Sequence, residues 1–316
     1  MQKIEWSSYF IESCKVTVFC LCVTLFYYFF GCSDTTLLVS FYMSVMSAAS
    51  TFSIKAKHFN QVFLGGVMIA TAINCGGVLG YYFPVFSKAI AIVYAGLAFF
   101  LPKKRYQSDI FVTSAVTYLV FTVTPFPLQE GIKHSIECVF VFMVFVFFYF
   151  LFDYPRAKNV EIVFDNNDRK VNKITAAIAV GSLSIAWFIS YLITMNHNYP
   201  RIFWMELTAL VVVAGSQQDT ILTSIKRITA CTLAAAFVLL LFDYILPHNF
   251  FLSFLMLVIF LFFIFFLSFS YFLKVLFIEM FVVSITYLLG NRDDLIAIAR
   301  VALTAAGGAV VILVTS

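Results

Sequence analysis

Apolar residues run in long blocks along this chain, and short polar clusters separate the blocks. A helix of about 17–25 apolar residues matches the thickness of a bilayer. Twelve such runs can be read, at about 9–31, 35–53, 60–81, 84–101, 109–126, 133–152, 172–194, 201–215, 226–246, 249–268, 271–289 and 295–315. The second and eighth are short, and predict broken or re-entrant helices as readily as full crossings. The expected fold is an all-α polytopic membrane protein of about twelve transmembrane helices.

Composition sharpens this. The chain is 62% hydrophobic and 11% charged, against about 45–50% and about 25% in a soluble domain. Mean hydropathy is +0.98. Such a chain cannot cover its apolar surface by folding into a globule, so the lipid bilayer is its first partner. Forty Phe and sixteen Tyr suit lipid-facing and interfacial surfaces. The net charge of +4 is small and its cations sit in short loops, so no nucleic-acid partner is expected. The first run reads as a membrane helix rather than a cleaved secretory signal. Of the seven Cys, six lie within or at the start of apolar runs, and Cys32 ends one. They read as small buried hydrophobes. Cys20-Leu-Cys22 has neither zinc nor redox spacing, and no disulfide framework is expected.

With the N-terminus inside, alternating crossings place Lys88, Lys133, Arg201, Arg292 and Arg300 on or near the outer side. The other fifteen of the twenty Lys and Arg, Lys15 and Lys226-Arg227 among them, fall on the cytoplasmic side. The positive-inside rule therefore supports twelve spans with both termini cytoplasmic. The one sizeable hydrophilic segment, Asp153 to Lys170, lies near the middle. It predicts two six-helix repeats, 1–152 and 172–316, joined by a cytoplasmic linker at 153–171. Tyr81-Tyr-Phe-Pro84 and Tyr244-Ile-Leu-Pro247 end the third and ninth runs, 163 residues apart. Ser114-Ala-Val-Thr-Tyr-Leu119 is similar to Ser284-Ile-Thr-Tyr-Leu288, with a one-residue gap. Parallel repeats are a transporter architecture whose substrate sites lie at repeat interfaces.

The second half carries a recognisable order of boxes. Phe203-Trp-Met-Glu-Leu-Thr-Ala-Leu-Val-Val-Val is followed by Ser216-Gln-Gln-Asp-Thr220. Ile225-Lys-Arg-Ile-Thr-Ala-Cys-Thr-Leu-Ala-Ala-Ala236 comes next, and the last run opens Ile298-Ala-Arg-Val-Ala-Leu-Thr-Ala-Ala-Gly-Gly308. This resembles the fusaric acid resistance protein and aromatic acid exporter family (FUSC-like). Trp204, Leu207, Thr208, Ala209 and Leu210 match its first box. Arg227 matches its second, with Ala230, Cys231 and Ala234 where Gly, Thr and Gly are expected. Arg300, Thr304 and Gly307 match its third, with Leu303 in place of an acid. The chain departs from large members in having a linker where they have a soluble domain. The resemblance implies efflux of aromatic carboxylates or related weak organic acids across the bacterial inner membrane, with a small organic acid as substrate. Proton antiport is the mechanism that fits.

Intramembrane charges are the candidate site, because each costs roughly 2.5–3.5 kcal/mol at a bilayer centre on insertion scales. Glu206 reads either as an interfacial residue, paired with Arg201 or facing the outer vestibule, or as a proton-carrying carboxylate near the substrate. Trp204 beside it reads as a belt residue or a ligand clamp. Glu279 lies deeper in an apolar run, and pairs with Arg300 for structure or as a switch. Arg300 either snorkels to headgroups or meets an anionic substrate, with Thr304 on the same face at i+4. Glu137 occupies in the sixth run the place of Arg300 in the twelfth, with His134 a turn before it. Lys226-Arg227 and Lys103-Lys-Arg105 read as topology anchors, Lys88 as a snorkelling lysine, and Asp219-Thr220 as a helix cap. No phosphate-cradling loop, metal cluster or nucleophile with a base is found, so neither cofactor nor enzyme activity is expected. Two other readings stand beside the transporter. One is a non-transporting subunit that works with a periplasmic adaptor protein. The other is an intramembrane enzyme on lipid-linked substrates, using His134, Glu137 and Asp293-Asp294.

Overall fold

The computed structural model describes residues 6–29, 44, 59–101, 105–154, 169–196, 202–213, 217–246, 250–288 and 294–315. Among them no strand occurs. The α-helices are α1 (Trp6–Phe29), α2 (Phe59–Tyr82), α3 (Pro84–Phe100), α4 (Arg105–Val123), α5 (Leu128–Phe148), α6 (Arg169–Asn196), α7 (Phe203–Val211), α8 (Gln217–Leu240), α9 (Phe250–Phe266), α10 (Tyr271–Leu288) and α11 (Asp294–Thr315). Short π-helical stretches, Tyr149–Asp153 and Leu241–Ile245, extend α5 and α8, and both contain Leu-Phe-Asp.

Seven helices, α1, α2, α5, α6, α8, α10 and α11, are long and apolar enough to cross a membrane. Three more, α3, α9 and the described part of α4, are apolar but shorter. The protein is a helical multi-pass membrane protein. The second expected span, 35–53, lies outside the described residues apart from Ser44, as does most of the linker. The eighth run forms only the nine-residue α7. At 1.5 Å per residue it extends about 14 Å, roughly half of a hydrocarbon core.

The ninth run also differs from its reading. Its helix begins at Gln217, not near Lys226. The polar stretch Gln217 to Arg227 contains neither Gly nor Pro, so nothing in it stops a helix. Its inward positions recur as Thr220, Ser224, Arg227, Cys231, Ala234 and Val238, one stripe at helical period. Asp219 and Thr220 consequently lie in the first turn rather than before it. There Asp219 suits the positive end of the helix dipole.

Two compact units are present. One comprises α1, α8 from Lys226 onward, α9, α10 and α11 up to Thr304. The other comprises α2 to α7, α8 up to Ile225 and α11 from Ala305. In the first unit aromatic rings join the helices. Trp6 and Phe10 of α1 meet Phe266 and Phe262 of α9, and Phe263 of α9 stacks on Phe277 of α10. In the second, small residues let backbones approach. A Cβ on Gly76 would lie 2.7 Å from the Tyr118 carbonyl oxygen, and one on Gly80 2.8 Å from that of Thr122. These two glycines seat α2 against α4. Every residue of α7 from Met205 to Leu210 is buried, as expected of a helix enclosed by protein on all sides.

Candidate functional site

In the first unit, Glu279 of α10 is fully buried between two arginines. Arg300 of α11 donates from Nε (2.8 Å) and Nη2 (2.6 Å) to Glu279 Oε2. Arg227 of α8 places Nη2 2.9 Å from Oε1. That second contact is an ion pair without hydrogen-bond geometry, for Oε1 accepts no hydrogen bond and Arg227 Nε has no acceptor. Arg227 and Arg300 are 4% and 3% exposed. Thr304, one turn after Arg300, is buried and accepts a bond from the Cys231 thiol at 3.6 Å. Tyr271 also lies within reach of Arg227. Three helices thus converge two guanidiniums and one carboxylate in an apolar interior. A buried ion is retained only when it is paired. Here one acid serves two cations.

The second unit holds a simpler pair. Lys88 of α3 donates to Glu206 of α7. Glu206 is 2% exposed, so it faces neither an open vestibule nor lipid, and Arg201 lies outside the described residues. Lys88 does not snorkel, because its ammonium turns inward to the only kind of partner that offsets its desolvation. Trp204 is half-buried, close to Phe203, and packs on the apolar cluster built around Leu119, Leu207 and Leu210. Around that cluster run two hydroxyl links, Ser87 to Tyr118 (3.2 Å) and Tyr94 to Ser114 (2.6 Å). Gly307 of α11 packs on α7, where a Cβ would meet the Met205 carbonyl oxygen at 2.5 Å.

Two further charged pairs are local to their own helices. Glu137 bonds to His134 on its own helix at 2.8 Å, both a quarter exposed. Glu12 and Lys15 of α1 pair at 2.7 Å and are both buried. Lys15 therefore lies inside its helix and does not mark a cytoplasmic end. Cys22 and Cys75 are exposed on their helices rather than buried, since an outward apolar face toward lipid accepts a thiol as readily as a core does. Asp293 lies outside the described residues. Among the described residues no group of three His, Cys, Asp or Glu could hold a metal.

The structure thus joins Glu279, Arg300 and Thr304, as their spacing implied, and places Glu206, Trp204 and Glu137 elsewhere. Sequence reasoning missed Arg227 and Lys88 as members of ion pairs. The helical stripe through Thr220, Ser224 and Arg227 was the available signal for the first.

Comparison with known proteins supplies one match. Residues 185–314 fit the family model described as fusaric acid resistance protein-like. No curated protein and no solved structure matches the chain. The matched stretch contains the buried cluster of Arg227, Cys231, Glu279, Arg300 and Thr304, and Tyr271 beside it.

Proposed function

Because residues 185–314 fit the fusaric acid resistance protein-like family model, we propose that the chain is a secondary transporter of that family. It exports aromatic carboxylates or related weak organic acids across the bacterial inner membrane. The observation that carries this reading is the pairing of two buried guanidiniums with the single carboxylate of Glu279. A substrate carboxylate presents the same two-oxygen face as Glu279 and competes for the same donors. For proton antiport the two occupants alternate: substrate holds the Arg227 side of the cluster while Glu279 is ionised, and once substrate has left outside, Glu279 takes a proton that is released inside before the next substrate binds, with the Lys88–Glu206 pair as a second candidate on the proton path. Both termini are cytoplasmic in this reading.

The test is accumulation of labelled aromatic carboxylates in an exporter-deficient bacterial host. Wild type is compared with Glu279→Gln, Arg300→Gln and Glu206→Gln at equal membrane abundance. Wild type should lower accumulation, and the Glu279 and Arg300 variants should not. Extrusion by all variants would remove the site but keep the function. Extrusion indifferent to collapse of the pH gradient would remove proton coupling. Activity only alongside a periplasmic adaptor would favour the subunit reading.

A further inference from the structure

The two arginines of the cluster are not equivalent. Arg300 is committed to Glu279, since Nε and Nη2 both donate to one oxygen at 2.8 and 2.6 Å. Toward Glu279, Arg227 makes one ionic contact through Nη2, without hydrogen-bond geometry; Tyr271 is its other polar neighbour, and its buried Nε has no acceptor. Nε and Nη2 form one edge of a guanidinium, the edge that a planar carboxylate grips with both oxygens. On Arg227 this edge is half used. We infer that Arg227 is the residue that takes the substrate carboxylate and sets the preference for a planar anion, while Arg300 is a positioning residue that holds Glu279. The inference rests on the transport reading above and divides its site into roles.

Three features agree with this division. Arg227 lies on the inward stripe of α8, which continues through Cys231 toward Thr304. Its neighbour Tyr271 is an aromatic ring at the start of α10 and is 36% exposed, so the approach to Arg227 has an apolar, ring-bearing side. A carboxylate on the Arg227 edge would displace only the weaker of the two contacts that Glu279 makes, leaving its bonds to Arg300 in place.

The experiment is direct binding to the purified full chain in detergent, by titration calorimetry, with benzoate as planar carboxylate and chloride as spherical anion. Arg227→Lys keeps the charge and removes the fork. It should weaken benzoate binding at least tenfold and chloride binding by less than threefold, so that the benzoate-to-chloride preference collapses. Arg300→Lys should lower the melting temperature more than Arg227→Lys does, yet preserve most of that preference. An unchanged preference in Arg227→Lys, or its loss in Arg300→Lys alone, would overturn the assignment while leaving the transport reading in place. Absence of benzoate binding to wild type would overturn both.

Discussion

Replacing Glu279 with Gln leaves the Arg227 and Arg300 guanidiniums in an apolar interior without their carboxylate. Removing one partner of a buried ion pair costs about 3–5 kcal/mol. Glu279→Gln should therefore lose that much stability, read as a lower melting temperature in detergent; a variant that melts with wild type would show that the charges are solvated. Lys88 and Glu206 obey the same rule with one cation to one acid. Lys88→Met and Glu206→Leu should each destabilise, and the double substitution should be less damaging than the sum of the two, because neither variant then strands a charge. A cycle with additive melting shifts would contradict the pair. Chain position made some of this legible. Arg300, Thr304 and Gly307 follow i, i+4, i+7, and Glu279 stands alone in an apolar run on the preceding helix. Lys88 was not legible, because a cation near the end of an apolar run looks the same whether it turns outward to headgroups or inward to an acid; for Arg227 only the polar stripe through Thr220 and Ser224 pointed inward.

At the scale of helices, close backbone approach decides which positions tolerate change. A methyl group at Gly76, Gly80 or Gly307 would fall 2.5–2.8 Å from a carbonyl oxygen of the facing helix, and backbone cannot give way as a side chain can. Gly80→Ala and Gly307→Ala should each cost about 1–3 kcal/mol, measured as thermal shifts. Gly181→Ala, whose new carbon would lie 3.3 Å from a flexible Val314 methyl, should shift the melting temperature less. If all three melted alike, the contact of α2 with α4 and that of α11 with α7 would be looser than described. Among the described residues, helix existence was readable from apolar run length. Helix extent was not: α8 begins nine residues before its apolar run, because run length measures hydropathy and a helix ends only where backbone geometry or a breaker ends it. The shortness of α7 was visible, but its enclosure depends on neighbours distant in sequence.

For the molecule as a whole, the hydropathic blocks sufficed to identify a multi-pass membrane protein. Alkaline carbonate washing should leave the chain in the membrane fraction, and release would refute that. Orientation rests on loop cations. Although Lys15, Lys88, Arg227 and Arg300 have internal roles, most of the remaining Lys and Arg are among those that the alternating crossings assign to the cytoplasmic side. A single reporter cysteine near residue 160 should be blocked only by permeant reagents if the linker is cytoplasmic. The two compact units were not legible, because each gathers segments far apart in the chain.

The ring contacts between α1 and α9 have a temporal consequence. Translation proceeds at about 5–20 residues per second, so Phe250 emerges roughly 10–40 s after Phe29. Throughout that interval Trp6 and Phe10 lack the phenylalanines that later cover them, and Glu12 and Lys15 sit in a helix without its neighbour. A nascent chain halted before α9 should therefore be held by insertion machinery or degraded, and one halted after α9 should resist protease at α1.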